Sequence, residues 1–132
     1  MQLPIKKKNN SLNQLFEESF RENWFLPALS NFRGETLTYH DLAIKIARLH
    51  IFFESCNIYK GDKIALCSKN QVNWAVAYLA IMTYGAVVVP VLHEFQPANI
   101  RHLVTHSDAK MFFVGDAIWD SMSDMEFPDI EA

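Results

Sequence analysis

The chain has 132 residues, half of them apolar, and a net charge of −3 from 12 basic and 15 acidic residues. This composition indicates one globular domain, and the absence of a basic face argues against nucleic-acid binding. No run reaches transmembrane length and no signal-type apolar stretch follows the N-terminus, so we expect a cytoplasmic protein. Its two cysteines, Cys56 and Cys67, are then expected to be free thiols.

Residues 1–10 are polar and are expected to form a disordered tail. The basic cluster at residues 6–8 fits a solvated tail better than a peripheral membrane contact, which is the alternative. Ser11 can cap a first helix. The apolar side chains spaced along one face of that helix are Leu12, Leu15, Phe16 and Phe20.

A β-hairpin is predicted next. Residues 24–29 are apolar and extended, residues 31–35 have turn chemistry, and residues 36–38 form a second short strand. Thr38 can then cap a second helix that runs to about Ser55, with Asp41 as a shorter form of the capping-box acid.

The middle of the chain has the pattern of a βαβ unit. A tight turn at residues 61–62 leads into the apolar run 63–67, and a second run at 86–91 follows a helix-length segment, 71–84. Asn70 is a good N-cap for that helix, and Gly85 lies where a left-handed residue ends it. Two parallel strands joined by a helix are therefore predicted.

The last third predicts one more unit of the same kind. A loop at residues 92–96 precedes a helix over 97–107, which begins at Pro97, and a third strand spans 110–115. Residues 116–132 could begin a helix but complete no further unit. The predicted fold class is α/β, a parallel sheet of at least three strands with crossover helices after a helix, a hairpin and a second helix.

Four stretches together carry a resemblance to a known family. They are Leu-Thr-Tyr at 37–39, Lys-Gly-Asp-Lys-Ile-Ala at 60–65, Asn70 with Trp74, and Gly-Ala-Val-Val-Val-Pro-Val at 85–91. This pattern resembles the start of the adenylate-forming, AMP-binding enzymes, which include acyl-CoA synthetases, luciferases and peptide-synthetase adenylation domains. Among these it looks most like a long-chain fatty-acid–CoA ligase, over about residues 15–118. One departure is Asn73, where the family often has an acid.

The resemblance implies a role in ligation. The parent enzyme would join a carboxylate to ATP, with Mg²⁺, to form an acyl-adenylate, and CoA would then displace AMP. Residues 11–132 would be the N-terminal α/β portion of that larger domain, a scaffold that is inactive alone. Its expected partners are the rest of the parent enzyme and a second copy, through uncovered apolar surface. The alternative is a free-standing α/β binding or oligomerisation module.

The family's catalytic and nucleotide-binding motifs have no counterpart in this sequence. The glycines at 34, 61, 85 and 115 are far apart, whereas a phosphate cradle needs clustered small residues and converging N–H groups. We therefore assign no catalytic, cofactor-binding or metal-binding residue, and expect ATP, Mg²⁺ and CoA to be held by other parts of the parent.

Two weaker candidates remain. The loop 92–96 leaves the carboxyl end of a strand, where ligands of parallel sheets bind. His102 and His106 share a helix face and could begin a metal site, with His93 or Glu94 as further ligands, although an exposed helix face explains them as well.

Aromatic and thiol side chains offer little chemistry. Trp74 and Tyr78 are expected in the core rather than stacked on a ligand, and Cys67 lacks the adjacent base that a nucleophile needs.

Overall fold

The computed structural model describes residues 12–30, 36–69, 71–122, 124–127 and 130, and the chain falls into two compact units, Met1–Ile44 and Lys45–Ala132. The helices are α1 (Leu12–Glu22), α2 (Tyr39–Ser55), α3 (Val72–Tyr84), α4 (Pro97–His106) and α5 (Asp116–Asp120). The strands are β1 (Pro27–Ser30), β2 (Thr36–Thr38), β3 (Lys63–Cys67), β4 (Val87–Pro90) and β5 (Met111–Val114). The predicted tail at 1–10, the Ser11 cap and the hairpin turn at 31–35 lie outside the described residues.

The first unit contains the predicted helix and hairpin. β1 and β2 are antiparallel, with Leu29 opposite Leu37. The extended stretch predicted from residue 24 is wrong for its first three residues, because the Leu26 N–H donates to the Asn23 carbonyl at 2.8 Å and closes a turn. On α1, Leu15 is 49% exposed, so the predicted apolar face is only partly covered among the described side chains.

The capping box predicted at the start of α2 is confirmed. The Asp41 N–H donates to Thr38 Oγ1 and the Thr38 N–H donates to Asp41 Oδ2, each at 3.1 Å. Two donors that the first turn would leave unpaired are therefore satisfied.

The second unit is built on a parallel sheet in the order β4-β3-β5. Ile64 of the central strand lies opposite Val88 on one side and Met111 on the other. The residues of β3 from Ile64 to Cys67 are at most 2% exposed, as expected for a strand covered on both faces. The predicted α/β class and the three parallel strands are thus confirmed, each strand bound lying within one residue of its prediction.

The helix between β3 and β4 ends as the sequence predicts and begins one residue later. Gly85 has φ of 94°, in the left-handed region, and its N–H donates to the Met82 carbonyl. The N-cap is Gln71, whose side chain makes no capping hydrogen bond. The predicted cap, Asn70, lies outside the described residues.

The C-terminal segment packs back onto the sheet. Met122, just after α5, is fully buried in a core cluster with Cys67 and Val104, and Phe127 and Ile130 pack against the same cluster. No described helix combines the length and the apolar character needed to span a membrane.

Candidate functional site

The carboxyl end of the sheet brings three loops together. The Gly115 N–H, after β5, donates to the Cys67 carbonyl at 3.0 Å, and the Val91 N–H, after β4, donates to the Leu66 carbonyl at 2.9 Å. A Cβ built on Gly115 would lie 3.2 Å from the Cβ of Ser68, so the loops after β3 and β5 touch. In open parallel sheets this end is where ligands bind.

The loop at 92–96 lies at this end, as predicted. It closes on a turn in which the Phe95 N–H donates to the Leu92 carbonyl at 3.2 Å. Leu92 is 58% and Phe95 40% exposed, while His93 is half-buried and Glu94 is exposed. The loop therefore presents apolar side chains with one acid and one imidazole, which suits contact with an apolar group more than acid–base chemistry.

The two histidines of α4 do face the same side. The rings of His102 and His106 are stacked with centroids 5.6 Å apart, and both residues are exposed. They line a shallow cleft of about 430 Å³ together with Arg101, Thr105 and Asp108. Among the described residues, no three His, Cys, Asp or Glu side chains are grouped to hold a metal ion, so the structure brings neither His93 nor Glu94 to this pair.

The remaining candidates, the two aromatic residues and the cysteines, have structural positions rather than a catalytic environment. Trp74 and Tyr78 stack on each other, with ring centroids 5.1 Å apart, and are half-buried rather than part of the fully buried core. Both cysteines are free thiols, as expected. Burial raises the pKa of the Cys67 thiol, which disfavours the thiolate that a nucleophile requires.

A cleft on one face of β5 was not predicted from the sequence. It has a volume of about 500 Å³, is lined mostly by apolar side chains and contains one carboxylate, that of Asp116. The lining residues are Phe112, Val114, Asp116, Trp119, Met125, Phe127 and Ile130. The signal that could have revealed it is the apolar spacing of Ile118, Met122 and Met125, which returns the chain to the sheet.

The described glycines are not all brought together by the fold. The N–H of Gly61 is already donated to the carbonyl of Gly85, at 2.9 Å, and both glycines lie at the amino ends of their strands. Gly115 is at the other end of the sheet, and its N–H is taken by Cys67. These described glycines therefore do not supply the converging free N–H groups that hold phosphates.

Comparison with known proteins identifies the class. A family model described as "AMP-binding enzyme" matches residues 16–130, so the chain belongs to the AMP-binding enzyme family. The resemblance found in the sequence is confirmed at this level.

Individual relatives come from more than one branch of the family. Over 116 residues the chain is 27% identical to surfactin synthase subunit 2 of Bacillus subtilis (strain 168), covering 88% of this chain and 3% of that protein. Over 105 residues it is 28% identical to a long-chain-fatty-acid–CoA ligase of Escherichia coli O157:H7, covering 79% of this chain and 18% of the ligase. The chain thus spans less than a fifth of either relative.

The fold is also that of solved structures in this class. Coronafacic acid ligase from Pectobacterium brasiliense matches with a TM-score of 0.80 and 20% identity, over 86% of this chain and 22% of the ligase chain. At this identity the likeness concerns the fold alone.

Proposed function

We propose that this chain is the N-terminal scaffold of an ATP-dependent fatty-acid–CoA ligase and is inactive alone. The observation that carries the proposal is the family match over residues 16–130, found in a chain that spans only 18% of a long-chain-fatty-acid–CoA ligase. The whole enzyme would be cytoplasmic and would use ATP, Mg²⁺ and CoA, held by residues beyond those described here.

The role of this chain would be to hold loops of the active site in position. A three-stranded parallel sheet whose central strand is buried from Ile64 to Cys67 is a rigid support, and its carboxyl end presents the loops at Ser68, at residues 92–96 and at Gly115. Rigid elements hold binding loops in place better than flexible ones do. The exposed Leu92 and Phe95 would contact an apolar substrate or a neighbouring part of the enzyme.

A free-standing binding or oligomerisation module is the second candidate. The observation in its favour is the apolar cleft beside β5, which has a volume within the range of small-molecule sites. Its single carboxylate, that of Asp116, gives it no catalytic pair.

The first test is the size of the natural protein. An antibody raised against this chain should detect a polypeptide far larger than 15.2 kDa in extracts of the source cells. The immunopurified protein should then catalyse ATP–pyrophosphate exchange with palmitate, but not with leucine or anthranilate. The isolated 132-residue chain, assayed in parallel, should catalyse none.

The other outcomes separate the alternatives. Exchange with leucine would indicate a peptide-synthetase adenylation domain, and exchange with anthranilate an aryl-acid ligase. Exchange by the 132-residue chain itself would contradict the scaffold role. A natural polypeptide of about 15 kDa without exchange activity would favour the free-standing module.

A further inference from the structure

We draw no further inference here: the strongest candidate, the outer edge of β5 with the apolar cleft beside it, has no second strand partner among the described residues, and nothing in the structure shows what covers it.

Discussion

The N–H of Gly61 is donated to the carbonyl of Gly85 at 2.9 Å, and both residues have positive φ, 87° and 94°. This bond joins the turn before β3 to the end of α3, and so aligns the starts of two neighbouring strands. Two left-handed residues are used to make it, and glycine is the residue that adopts this conformation without strain.

Replacing Gly85 should therefore destabilise the fold. We expect Gly85→Val to lower the free energy of unfolding by about 1–3 kcal/mol, since a Cβ is strained at this φ and would also approach Lys60 Cγ to 2.7 Å. Urea denaturation measures the change. A Cβ on Gly61 would meet nothing within 4 Å. Gly61→Val therefore measures the cost of the strained backbone conformation without a clash of the new side chain. Unchanged stability of Gly85→Val would show that α3 can end elsewhere.

Stability should depend on pH through Asp62. Its carboxylate accepts the Tyr59 N–H at 2.7 Å and lies 3.3 Å from the Lys110 ammonium. The pKa of Asp62 is lowered below its ordinary value of 3.8, mainly by the hydrogen bond from Tyr59. Partial burial raises the pKa, and the interaction with Lys110 lowers it further. A folded-state pKa below the unfolded value stabilises the fold above about pH 4, and this contribution is lost as the pH falls through the folded-state pKa.

The measurement is the urea midpoint of the unmodified chain and of Asp62→Asn at several pH values. We expect the variant to be less stable at pH 6 and the difference to shrink steadily below about pH 4. Asp124→Asn, on an exposed acid, controls for the change in net charge. A difference that stays constant down to pH 2 would mean that the Asp62 charge contributes nothing.

The C-terminal segment should contribute strongly to the second unit through Met122. This side chain is fully buried, so Met122→Ala is expected to lower the free energy of unfolding by roughly 2–5 kcal/mol. Met125→Ala, at a half-buried position of the same segment, should cost clearly less. Thermal and urea unfolding of both variants provide the comparison. Equal small losses would indicate that the segment does not hold its place on the sheet in solution.

The isolated chain should not bind ATP. Its described glycines lie apart or have their N–H groups already paired, so they do not collect free donors around a triphosphate. Titration calorimetry with Mg-ATP is expected to show no binding tighter than about 1 mM, which corresponds to roughly 4 kcal/mol. Binding at micromolar concentration, or formation of an acyl-adenylate, would overturn the scaffold role.

Local patterns were sufficient to predict the βαβ unit. The run 63–67 is apolar and bounded by a turn, so its limits match those of β3. The helix ends where predicted because Gly85 is the one residue there that suits a left-handed cap. Thr38 and Asp41 are similarly local, since the capping box lies within four residues.

Features that depend on distant residues were not predictable. The order β4-β3-β5 follows from where each crossover lies, and three similar apolar runs do not specify it. Residues 24–26 are as apolar as a strand, yet they form a turn because the Leu26 N–H finds the Asn23 carbonyl. The cleft beside β5 exists only once Phe127 returns to pack near Phe112, with ring centroids 5.5 Å apart.

The candidate site also combines one feature that the local sequence predicts with one that depends on distant residues. The loop 92–96 was predictable, because a loop that follows a parallel strand must lie at the carboxyl end of the sheet. The hydrogen bond from the Val91 N–H to the Leu66 carbonyl fixes the start of this loop there. The contact between Ser68 and Gly115 joins loops from different parts of the chain, so no short motif could predict it.

The central position of β3 also sets an order of assembly. Ile64 lies opposite Val88 and Met111, and Met111 is nearly twice as far along the chain. Closing the shorter loop costs less conformational entropy, so β3 and β4 dock first and β5 is added to a preformed pair. During synthesis β3 leaves the ribosome before either neighbour, and its apolar residues stay uncovered until α3 and β4 emerge. β3 is therefore the first strand of the sheet to be exposed in the nascent chain and the last to have both neighbours in place.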